Sequence, residues 1–100
     1  MIVNVAKNGA LSLRDSDNMR AFSIVCDGAG ASLERLQQIA VPAEENHYWL
    51  DADAVLELSG RQQDQQWQAD FRAMLESVAP YGYFDHKTNR VKAHVEIENG

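Results

Sequence analysis

At 100 residues, 45% of them hydrophobic, the chain has the size and composition of a single globular domain with a formal charge of −6. A chain this long buries roughly 60–70% of its unfolded surface, enough for a core without metal, and its lone cysteine, Cys26, rules out an intrachain disulfide. Charged residues are 24% of the chain and mixed in sign, which excludes wholesale disorder.

Residues Met1–Asn46 hold four bases and six acids, and His47–Gly100 five and nine. Neither half has the positive potential that phosphate binding needs, so a nucleic-acid scaffold or an anionic-membrane binder is disfavoured. No stretch approaches the ~20 apolar residues of a membrane span, and no basic segment with an apolar run opens the chain. With one cysteine and no such segment, a reducing, cytoplasmic setting is the expectation.

Ile2, Val3 and Val5 read as a short strand. The Asn8-Gly9 pair tolerates the positive φ of a tight turn, and Leu11 and Leu13 alternate with Ser12 and Arg14, so the opening segment is a β-hairpin. Phe22–Cys26 is an apolar run of strand formers that stops at Asp27-Gly28-Ala29-Gly30. Ser32 is positioned as an N-cap for a helix carrying Leu33, Leu36 and Ile39, with Pro42 as its stop. Tyr48-Trp49-Leu50 reads as a strand. Asp51 and Asp53 then open a two-turn helix bearing Val55, Leu56 and Leu58, which Gly60 ends. The clearest helix runs from Asp64 to Ala79, where Trp67, Phe71, Met74, Leu75 and Val78 form one stripe at period 3.6. Tyr83-Phe84, the turn Lys87–Asn89, and the alternation of Val91, Ala93, Val95 and Ile97 with Lys92, His94 and Glu96 predict a second hairpin.

These elements define an α+β fold spanning residues 1–100, with two β-hairpins and about three helices. From Leu33 to Ile97 the order helix, strand, helix, helix, strand, strand is also that of a winged-helix domain. The alternative gathers the strands into one antiparallel sheet with the helices on one face.

No catalytic constellation emerges. The Cys26–Gly30 loop follows a strand and precedes a helix, where glycines can cradle phosphate, but it lacks a third glycine or a Gly-Lys-Ser/Thr. Cys26 at a strand end reads as a small buried hydrophobe. His94, Glu96 and His86 have conceivable metal-ligand spacing, but Lys92 shares their face, so no metal and no cofactor is assigned. Asp51 and Asp53 read as helix-start acids. For nucleic acid, Lys87, Arg90 and Lys92 in the last hairpin are the candidate contacts, set against an acidic third helix. The aromatics remain: Tyr48, Trp49, Tyr81 and Tyr83 exceed what one face can bury, and an exposed aromatic patch marks a partner surface. The expectation is a non-enzymatic interaction module with a protein partner or a second copy.

Overall fold

A computed structural model describes residues 1–28 and 30–98 of the chain. Its strands are β1 (Ile2–Val5), β2 (Leu11–Arg14), β3 (Ser23–Asp27), β4 (Ala40–Pro42), β5 (His47–Asp51), β6 (Phe84–Asp85) and β7 (Arg90–Glu98). The helices are α1 (Ala31–Ile39), α2 (Ala52–Ser59) and α3 (Gln65–Val78), and a short 3-10 turn follows at Ala79–Tyr81. Both predicted hairpins form, β1–β2 and β6–β7. Gly9, at φ 86°, supplies the left-handed residue the first turn requires.

The seven strands make one mixed sheet in the order β2-β1-β3-β7-β5-β4. β6 pairs with the first two residues of β7, on the edge that β3 takes up further along. The sheet is not all antiparallel, because β3 runs parallel to both β1 and β7. Nor is the C-terminal part a winged helix. β7 is a central strand rather than a wing, and the buried residues of all three helices join the sheet in one core instead of forming their own.

Register divides the side chains by face. Leu13, Val3, Ile24 and Val95 stand opposite one another across β2, β1, β3 and β7. Leu50 pairs with Val91 and Tyr48 with Ala93. This inward row packs on Leu36, Val55, Trp67, Phe71 and Leu75 of the helices. Among the described residues, the buried apolar side chains of the helices all lie in this inward core, and the other face has Trp49, Lys92 and His94 at its centre, with His47 beside them.

Local chemistry explains the helix ends. Asp51 accepts from the Asp53 backbone N–H at 2.9 Å, and Gly60 closes α2 in the left-handed region. Asp64 caps α3 through the Trp67 N–H at 3.0 Å. Ser32 does not cap α1. Gly30 holds that position at φ 80°, while Ser32 is buried and its Oγ donates to the Gly28 carbonyl at 2.6 Å. α1 ends at Ile39, and Pro42 belongs to the edge strand β4, where its missing N–H is tolerated.

The Asp64 cap makes stability depend on pH. The Trp67 N–H, and after it Arg61, hold the Asp64 carboxyl below its ordinary value of 3.8. The Lys92 hydrogen bond similarly lowers Glu44, and the Lys87 N–H lowers Asp85. A depressed folded pKa gives stability that is complete above the unfolded value and is lost as pH falls through the folded value. Melting temperature should therefore fall as pH drops below the ordinary carboxylate values of 3.8 and 4.5. In Asp64→Asn, which keeps an acceptor but cannot titrate, part of that fall should disappear. Thermal melts across the acid range, read by circular dichroism, check both statements, and identical slopes for variant and wild type would reject them.

Candidate protein-interaction face

The face opposite the core carries an ordered row of side chains produced by register alone. Val41 of β4 stands opposite Trp49 of β5, and Trp49 opposite Lys92 of β7. Beyond Lys92 the Lys92 N–H donates to the Tyr83 carbonyl at 2.7 Å, which brings Tyr83 alongside it. Val41 is 41% exposed and Tyr83 40%, while Trp49 is half-buried.

Lys92 is the centre of this row. Its Nζ lies 4.8 Å from the Tyr83 ring centre and 5.6 Å from that of Trp49, within cation–π range of both. Glu44, from the β4–β5 turn, pairs with the ammonium. The Lys92 side chain is only 10% exposed, so its alkyl stem fills the gap between the two rings and extends the apolar surface. Two histidines border the row. His47 and His94 sit opposite each other on β5 and β7, ring centres 5.4 Å apart edge to face, and the His47 Nδ1 is 2.9 Å from the Glu45 carbonyl.

The four aromatics singled out in the sequence thus separate. Trp49 and Tyr83 meet on the face opposite the core. Tyr48 points the other way, against the core and into a groove at the end of the sheet. Tyr81 lies in the 3-10 turn and is 78% exposed, with no ring contact among the described residues. Lys87, Arg90 and Lys92 do not line up as a basic stripe. Lys87 is in the β6–β7 turn, Arg90 stands between Asp51 and Asp85 in register, and Lys92 is held by Glu44.

Cys26 is fully buried, and burial pushes its thiol pKa up, the opposite of a reactive thiolate. Ala29 of its glycine loop lies outside the described residues. His86 pairs with Glu76 at 2.7 Å and touches the Phe84 ring, so it is not on the His94–Glu96 face. No group of three metal-ligating side chains occurs among the described residues. No described helix is long and apolar enough to cross a membrane.

Sequence reasoning missed Val41 and Glu44. Both lie beside Pro42, which reads as punctuation, and only the β4–β5 pairing places them at the face. No protein family, curated protein or solved structure matches this chain.

Proposed function

We propose that this chain is a non-enzymatic protein-interaction module whose docking surface is the sheet face at Val41, Trp49, Lys92 and Tyr83. The observation that carries this reading is the registered row itself, two aromatic rings joined by a covered lysine on the face opposite the core that the helices bury. Rigid aromatic rings are the side chains that dominate binding energy at interfaces.

A second copy is the occupant that fits best. On a chain of charge −6 this patch is nearly balanced, with Lys92 paired to Glu44 and Arg90 set between Asp51 and Asp85. Two such faces meet without the repulsion that the rest of the surface brings, and a two-fold dimer is the commonest closed assembly. A nucleic-acid reading has less support, since the one lysine in the row is already paired. A small-ligand reading at Cys26–Gly30 rests on a buried thiol.

Sedimentation equilibrium over a wide concentration range tests the proposal. Trp49→Ala or Tyr83→Ala should weaken self-association by about 2 kcal/mol, roughly thirtyfold, with the fold retained by circular dichroism. A wild-type protein that stays monomeric throughout, or variants that associate as wild type does, would remove it.

A further inference from the structure

The other end of β7 has an open backbone edge. β5 accompanies β7 only as far as His47 opposite His94, after which the Val95 N–H donates to the Asn46 carbonyl at 2.7 Å. Asn46 then adopts φ 61° and turns the chain away toward β4. β3 continues along the opposite edge to Asp27 opposite Glu98, and the Gly28 N–H donates to the Glu98 carbonyl. Backbone groups in a strand point alternately to its two sides. With Glu98 bonded toward β3 and Val95 toward β5, Ile97 directs both its N–H and its carbonyl to the side β5 has left. The Val95 carbonyl points the same way, with no described partner.

A groove of about 600 Å³ opens on this side, floored by Leu33, Tyr48, Val95 and Ile97 and bordered by His94 and Glu96. Ile97 is 47% exposed in it. The two sides of the strand differ in chemistry. Val95 and Ile97 face the same way as Tyr48 and Leu33, whereas Glu96 and Glu98 stand on the opposite face with their carboxylates exposed. Among the described residues, no lysine or arginine lines the groove.

From these features we infer that β7 accepts an added strand along Val95–Glu98, and that the strand is an extended peptide segment of another protein in which apolar and basic residues alternate. Its backbone pairs with the Val95 carbonyl and with the N–H and carbonyl of Ile97, which have no partner among the described residues. Its apolar side chains lie in the groove on Leu33, Tyr48 and Ile97, and its basic ones fall beside Glu96 and Glu98. The acidic character of that flank selects against acidic segments and against a second copy of this chain's own Glu96-Ile97-Glu98. This site is separate from the Trp49–Tyr83 face and stands whether or not that face self-associates.

The probes are two blocked hexapeptides, one alternating valine with lysine and the other valine with glutamate, titrated into the full ¹⁵N-labelled chain. The lysine peptide should shift the amide signals of Leu33, Asn46, Tyr48 and Val95–Glu98 and slow exchange of the Ile97 N–H. The glutamate peptide should bind at least tenfold more weakly, and added salt should reduce that difference. Ile97→Pro, which removes the groove-facing donor together with the Ile97 side chain and leaves the bonds of Glu96 and Glu98 toward β3 in place, should abolish the response. Glu96→Lys should reverse the preference between the peptides with the backbone edge intact. Equal binding of the two peptides, shifts outside this segment, or no response to either would overturn the inference. So would concentration-dependent protection of the Ile97 N–H in the protein alone, since it would make the occupant a second copy.

Discussion

Trp67→Ala is expected to lower the unfolding free energy by about 4 kcal/mol, the scale of deleting a buried tryptophan and leaving a cavity. The indole is 3% exposed and stacks on Phe71, ring centres 5.1 Å apart at 19°. Its Nε1–H donates to the Ser16 carbonyl at 2.8 Å. That bond ties α3 to the loop between β2 and β3, fifty-one residues earlier in the chain. The Arg61–Asp17 pair, at 3.2 Å, joins the same loop to the segment just before α3 at the surface, where an exposed ion pair contributes little. Trp67→Phe should keep the ring contact and lose the hydrogen bond, costing about 1 kcal/mol more than the lost contact area alone. Since a domain of this size is stable by only about 5–15 kcal/mol, the alanine variant should lose between about a quarter and about four-fifths of its stability. Urea denaturation gives both values, and a loss under about 1 kcal/mol for Trp67→Ala would refute this account of the α3 contact.

Lys92→Glu is expected to have the next largest effect, on both stability and association. It sets a carboxylate beside Glu44 between two aromatic rings, so an ion pair and two cation–π contacts give way to like-charge repulsion. The side chain is 10% exposed while Glu44 is 69% exposed, so water relieves only the Glu44 side of the conflict. A destabilisation of about 2 kcal/mol is expected, below the 3–5 kcal/mol of breaking a fully buried pair. The face would also exchange a positive charge for a negative one, and self-association should be lost by more than the roughly thirtyfold expected for Trp49→Ala. Lys92→Met separates these effects. It preserves the alkyl packing between Trp49 and Tyr83 and leaves Glu44 to water, so stability should stay within about 1 kcal/mol of wild type. Thermal denaturation and sedimentation of the two variants distinguish the outcomes, and equal behaviour would mean that Lys92 acts only through its stem.

Much of the local structure is legible in the residues. Period 3.6 from Trp67 to Val78, the acids at Asp51 and Asp53, and the turn glycines Gly9 and Gly60 each act over one or two turns of chain, and all do what their chemistry predicts. Ser32 fails for a local reason as well: its hydroxyl turns back to the Gly28 carbonyl, and Gly30 starts the helix. The sheet order is different in kind. The alternation in β7 says that one face is dry, but its partners β3 and β5 lie far away in sequence, and their register is set by side chains that no window of residues contains. The winged-helix order and the mixed sheet share the same succession of elements, and only pairing decides between them.

The candidate face divides in the same way. Trp49 and Tyr83 stand out as aromatics too many for one core, and Lys92 as one base of a hairpin. Their meeting follows from two registers, Trp49 with Lys92 and Phe84 with Val91. The opposed directions of Tyr48 and Trp49 follow from the two-residue period of a strand. The groove at Ile97 has no local signal, because it exists where β5 stops rather than where any residue begins.

Hydroxyl-radical footprinting of the wild-type protein at low and high concentration tests the docking face most directly, since Trp49 and Tyr83 are oxidised in proportion to their exposure. Oxidation of both should fall as concentration rises, while Tyr81, 78% exposed and away from the face, keeps its level and buried Trp67 stays low. Unchanged oxidation of Trp49 and Tyr83 at every concentration, or protection appearing at Tyr81 instead, would contradict the assignment of this face as the surface by which the protein associates.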